Sequence, residues 1–192
     1  MKTIKVLKAS LLFTMLLTVS SVFAQSDMMK SETKMVGGAE MYPTKNIVEN
    51  AVNSKDHTTL VAAVKAADLV GVLTSDGPFT VFAPINEAFA KLPEGTVANL
   101  LKPENKTLLQ TILKYHVIAG KVSASKLQML IAKSGGKATL ETVSGGNLTA
   151  WIKDGAVYVT DENGNSAMVT IADVNQSNGV IHVIDTVLLP KS

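Results

Sequence analysis

The sequence predicts an α+β fold, with N-terminal helices packed around a mainly antiparallel β core. Three observations carry this. Apolar residues recur at helical spacing in successive segments between residues 47 and 133. After Gly136 the chain changes to short strand-like runs separated by turn residues. One early run, Phe79–Ala83, also has strand character, so it must join the late strands through contacts distant in sequence.

Taken in order, residues 1–24 read as a secretory signal peptide: Lys2, Lys5 and Lys8 precede an apolar stretch that ends Val22-Phe23-Ala24. Cleavage is expected after Ala24, and with no cysteine in the chain a lipid anchor is excluded. The mature chain is expected to be secreted or periplasmic, without a membrane span. Residues 25–42 are polar and glycine-containing and read as a flexible linker. They carry Met28, Met29, Met35 and Met41, whose thioethers raise Cu(I) binding as an alternative to a plain oxidisable tail.

From Pro43 the text becomes helical. Ile47, Val48, Ala51 and Val52 form one stripe. The segment from Asp56, an expected N-cap, to Leu73 reads as a helix with Leu60, Val61, Val64, Ala67 and Val70 inward. Gly77-Pro78 stops it, the strand Phe79–Ala83 follows, and Ala88, Phe89 and Leu92 resume helical spacing. Pro93 and Pro103 each open a further helix, the second burying Leu108, Leu109, Ile112 and Leu113. A short helix over residues 123–133 closes at Gly135-Gly136. Five runs then alternate like strands: KATLETV, NLTAWIK, AVYVT, AMVTIADV and GVIHVIDTVLL. Turn residues separate them.

Composition narrows the functions. All 18 basic residues are lysines, and loss of Lys2, Lys5 and Lys8 takes the net charge from +2 to −1, which argues against nucleic-acid binding. The absence of cysteine removes thiol catalysis and thiolate metal sites, and it leaves packing alone to hold the domain together. Asn105, Asn147 and Asn175 open Asn-x-Ser/Thr triplets.

No Gly-x-Ser-x-Gly elbow, phosphate loop or His-Glu-x-x-His helix occurs, so no catalytic residue is assigned and no cofactor is implied. Of the three histidines, His57 reads as a surface residue near a helix start. His116 and His182 can come together with Asp173 or Asp185 only if the fold assembles them. An enzyme or small-ligand pocket built from His116, His182 and Asp185 is therefore the alternative to a structural role. Tyr115-His116, set in the apolar run ILKYHV, raises the same choice between chemistry, partner contact and satisfied packing.

PFTVFAPINEAF (Pro78–Phe89), ILKYHV (Ile112–Val117) and NGVIHVIDTVLLP (Asn178–Pro190) resemble, in order, three sequence blocks of fasciclin-like domains. LPEGTVANLLKPENKTLL and ADVNQSNG are similar to the same family. The resemblance spans residues 43–190 and implies a wedge-like β core wrapped by helices. It implies a non-catalytic adhesion module, with a cell-surface or matrix protein or polysaccharide as partner; separately, the chain is expected to be a monomer. By resemblance, Tyr115 and His116 occupy the block implicated in partner binding. Asn86, His116, His182 and Asp185 would be the polar staples of the core. Ile85 stands where a Thr or Ser is common, which leaves helix capping to Asn86.

Overall fold

The structure is a computed structural model that describes residues 32–191. The expected signal peptide, with Met28 and Met29, lies outside the described residues. The first described elements are two strands, β1 (Lys34–Val36) and β2 (Ala39–Met41), paired antiparallel. Gly37 and Gly38 make the turn at φ +59° and +74°, the left-handed pair that a two-residue hairpin demands. The Gly37 carbonyl accepts from Lys55 N–H at 3.0 Å. A Cβ at Gly37 would stand 2.6 Å from the Asp56 backbone nitrogen. Val36 and Met41 are each 1% exposed. This corrects the linker reading over residues 34–42, which are already core structure. Three-residue strands are too short to show a period, which is why the sequence concealed them.

Helix α1 (Ile47–Ala51) begins with a capping box, in which Asn46 Oδ1 accepts from Glu49 N–H at 2.9 Å and Glu49 Oε2 accepts from Asn46 N–H at 2.8 Å. Asp56 is not an N-cap. It falls within a 3₁₀ turn, Lys55–His57, that leads into α2 (Thr58–Ala66). The long helix expected to reach Leu73 breaks at Asp68, whose φ of +59° ends α2. Asp68 and Leu69 N–H return to the carbonyls of Lys65 and Val64, both at 3.1 Å, as in a Schellman cap. That turn drives Leu69 into the core and starts α3 (Val70–Leu73). Short helices α4 (Asn86–Ala90) and α5 (Thr96–Leu100) follow. Helix α6 (Lys106–Tyr115) buries Leu109, Ile112 and Leu113 but leaves Leu108 50% exposed, because Leu108 lies one residue's rotation off the centre of that stripe.

The main sheet holds β3 (Phe79–Pro84), β4 (Val117–Ala119), β5 (Lys137–Glu141), β6 (Asn147–Lys153), β7 (Ala156–Thr160), β8 (Ser166–Gln176) and β9 (Gly179–Ile184). Their order is β4-β3-β9-β8-β7-β6-β5, and of these pairings β3 with β9 is parallel while the rest are antiparallel. The α+β expectation therefore holds. β8 shifts register between Val169 and Ile171 and again between Ile171 and Val174, so one half pairs with β7 and the other with β9. Asp173, at φ +55°, occupies the second irregularity. Its carboxylate accepts from Ala124 N–H at 2.7 Å and, with Ser123, holds the start of α7 (Ala124–Lys133).

β3 and β9 are covered on both faces, as a central parallel pair must be. Val81, Ala83, Ile181 and Val183 face a core shared with the hairpin, α1, α2 and α6. Phe82 and Ile184 face a second core made with Tyr115, α7 and β5–β7. All six residues of β9 are buried.

Candidate functional site

Tyr115 ends α6 and His116 is its C-cap residue, so two consecutive side chains diverge at the junction with β4. Tyr115 is 0% exposed. Its hydroxyl donates to the Asn147 carbonyl at 2.7 Å and accepts from Glu162 N–H at 3.1 Å. Gly146 lies against the ring, where a Cβ would come within 2.7 Å of Tyr115 Cε2. Burial pushes the Tyr115 phenol pKa up.

His116 is 3% exposed. Nδ1 sits 2.8 Å from the Ile112 carbonyl, and Nε2 accepts from Leu188 N–H at 3.1 Å. Burial lowers its pKa to about 4, against the opposing pull of the Ile112 carbonyl and Asp161. The ring ties the C-terminal turn of α6 to the final segment of the chain. It is a neutral strut.

His182 occupies β9 and is 0% exposed, stacked on Phe82 with centroids 5.6 Å apart. Nε2 lies 2.8 Å from the Val122 carbonyl, and Nδ1 accepts from Asp173 N–H at 3.3 Å. Burial also lowers this pKa. Asp185 accepts from Met168 N–H at 2.8 Å and from the Thr186 hydroxyl at 3.0 Å, with Lys91 Nζ 3.6 Å away. Asn86 does not cap its own helix. Its Oδ1 accepts from Thr59 N–H at 3.0 Å and its Nδ2 donates to the Lys55 carbonyl at 2.8 Å, so it holds the start of α2 instead.

Two expectations are corrected by this geometry. Tyr115 and His116 are enclosed, so their side chains are not a surface contact for a partner. Asn86, His116, His182 and Asp185 are not one network either: no hydrogen bond joins any two of them, and each bridges its own pair of segments.

The alternative, a pocket built from His116, His182 and Asp185, is not found among the described residues. An apolar cavity of about 90 Å³ lies among α1, α2, α3 and β3. His116 lines it with His57, Met41, Leu60, Val64 and Phe82, whereas His182 and Asp185 do not. His57, expected at the surface, is 1% exposed. The 3₁₀ turn tips its ring inward, where Nδ1 meets Ser54 Oγ at 2.9 Å. Nε2 makes no hydrogen bond of normal geometry, although the Ala83 backbone is near enough to favour the charged ring. Desolvation outweighs that pull and lowers the His57 pKa. Among the described residues no group of three or more histidines and carboxylates is placed to hold a metal.

Sequence reasoning passed over the outward face of β5–β8, where Trp151 stacks on Tyr158 with centroids 4.8 Å apart. The available signal was alternation: Thr149, Trp151, Tyr158 and Thr160 share one parity in strands whose other parity is Leu148, Ala150, Val157 and Val159.

Comparison with known proteins agrees with this architecture. The Fasciclin domain family model matches residues 55–190. Protein sll1483 of Synechocystis sp. is 51% identical over 168 residues, which is 87% of this chain and 86% of that protein. Cell surface glycolipoprotein MPB83 of Mycobacterium bovis is 36% identical over 147 residues, covering 74% of this chain and 59% of that one. The FAS1 domain pair of the insect cell adhesion molecule Fasciclin I shares the fold at a TM-score of 0.68 and 20% identity, over 76% of this chain and 51% of that chain. No described helix is long and apolar enough to cross a membrane. With its three sequence blocks laid down as the central strands and the strut between them, this chain belongs to the fasciclin domain family.

Proposed function

We propose that this chain is an exported, non-catalytic interaction domain that attaches to a cell-surface or matrix component, either a protein or a surface polymer. One observation carries the reading: the side chains best suited to acid–base work, His57, His116, His182 and Tyr115, are all buried. Three of them have every polar atom engaged by backbone, and none opens onto a polar, water-filled cleft. Such a domain acts through its outer surface. Membership of a family of adhesion and interaction modules supports the same conclusion.

The test is retention of the full chain, secreted by its own host, on intact envelope, on envelope stripped of protein and on envelope stripped of glycan. Attachment to one of these fractions is expected, abolished when that component is removed. Turnover of a small-molecule substrate, lost on His116→Gln in a variant that remains folded, would overturn the non-catalytic reading.

A further inference from the structure

The outward face of β5–β8 carries a groove of about 360 Å³, lined by Lys137, Thr149, Trp151, Thr160 and Ser166. Strand register builds it from two rows. Lys137, Trp151, Tyr158 and Met168 are successive cross-strand partners, and so are Thr139, Thr149, Thr160 and Ser166. One row is aromatic at its centre and the other is four hydroxyls.

The indole is held in place on two sides. Trp151 Nε1 donates to Thr160 Oγ1 at 2.8 Å, and Thr160 Oγ1 pairs with Ser166 Oγ at 2.7 Å. Tyr158 covers one face of the indole at an interplanar angle of 23°. The groove abuts Trp151 and not Tyr158, so the aromatic wall offered to a ligand is rigid and already backed. Opposite it, the Thr149 hydroxyl and Lys137 ammonium make no side-chain hydrogen bond or ion pair among the described residues. The partner this chemistry recognises has an apolar face of C–H groups for the negative face of the indole, and a dense rim of hydroxyls for Thr149, Thr160, Ser166 and Lys137. A hexopyranose ring is such a molecule. No carboxylate lines the groove, and Lys137 is its sole charge, so neutral and weakly acidic sugars are both admitted.

We infer that the Trp151 groove on the outer face of β5–β8 is a glycan-binding site, in which one hexopyranose unit of a polysaccharide stacks on the indole and its hydroxyls bond to the Thr149–Thr160–Ser166 row. The inference rests on the interaction-domain reading above and names its surface and ligand class.

Trp151 is the sole tryptophan of the chain, so intrinsic fluorescence reports directly on the site. Titration of the full chain with gluco-, manno- and N-acetylglucosamine hexasaccharides should give a saturable change with at least one. Trp151→Ala, checked by circular dichroism and read by calorimetry, should abolish binding to that sugar. Thr149→Val keeps the β-branched shape and removes one hydrogen-bonding group, so it should weaken binding about fivefold. Absence of saturable binding to all three sugars and to an oligogalacturonate would overturn the inference, as would Thr149→Val and Lys137→Ala variants that bind as tightly as the parent. Saturable binding of a single-stranded oligonucleotide or a peptide, with no sugar bound, would also overturn it. If Trp151→Ala remains folded and still attaches to envelope like the parent, the groove assignment falls while the interaction-domain reading stands.

Discussion

His116 and His182 are neutral in opposite tautomers. A backbone carbonyl only accepts and a backbone N–H only donates, so each ring's proton position follows from its partners. His116 carries its hydrogen on Nδ1 toward Ile112 and accepts at Nε2 from Leu188, whereas His182 carries it on Nε2 toward Val122 and accepts at Nδ1 from Asp173. Each imidazole joins two segments far apart in sequence, and protonation would turn an acceptor nitrogen into a second donor facing an N–H.

Acid should therefore unfold the domain through its histidines. The folded pKa of His116 is about 4, below the unfolded value near 6.5, and those of His57 and His182 are lowered too. For a lowered histidine the unfolded chain binds the proton first, so stability is full above pH ~6.5 and falls as pH drops toward the folded value. The His116 contribution alone is on the order of 3 kcal/mol. Urea unfolding at a series of pH values between 7.5 and 4 should show this decline. Histidine proton shifts titrating near 6.5 in the folded protein would contradict it.

Removing the His116 strut should cost about 2–5 kcal/mol, because His116→Ala leaves a void and deprives the Leu188 N–H and the Ile112 carbonyl of their partner. The measurement is chemical denaturation at pH 7.5, where the wild-type ring is neutral. A loss under 1 kcal/mol would mean that water replaces the ring without penalty.

Gly146 is required by Tyr115 rather than by its own backbone angles. Gly146→Ala would place a methyl 2.7 Å from the Tyr115 ring, which has no room to retreat in the second core. A loss of about 1–3 kcal/mol is expected. Tyr115→Leu introduced alongside should recover part of it, and a strictly additive double mutant would place the strain elsewhere.

Deleting residues 25–42 should destabilise the domain by about 2–5 kcal/mol, since Val36 and Met41 leave the first core and Met41 no longer lines the apolar cavity. A Tm unchanged from that of the full mature chain would restore those residues to the status of a linker.

The sequence alone determined that helices precede a run of strands from Ile47 onward, because 3.6- and 2-residue periodicities are written between neighbours and survive without tertiary knowledge, whereas the short β1 and β2 left no such trace. It also marked Phe79–Ala83 as a strand that has to join the late ones, and that strand pairs with β9. The Tyr-His and His-Val-Ile-Asp blocks were legible as motifs, but their roles were not. Only the tertiary structure decided that Tyr115 points into one core and His116 into the other, that His57 is enclosed, and that Asn86 caps a helix 27 residues earlier rather than its own. It alone brought Trp151 beside Thr160 and Ser166. Those relationships depend on the register of strands and the seating of helices, and no local pattern specifies which distant segment lands opposite a given side chain. That choice belongs to the packing of the whole domain, which sets every register together.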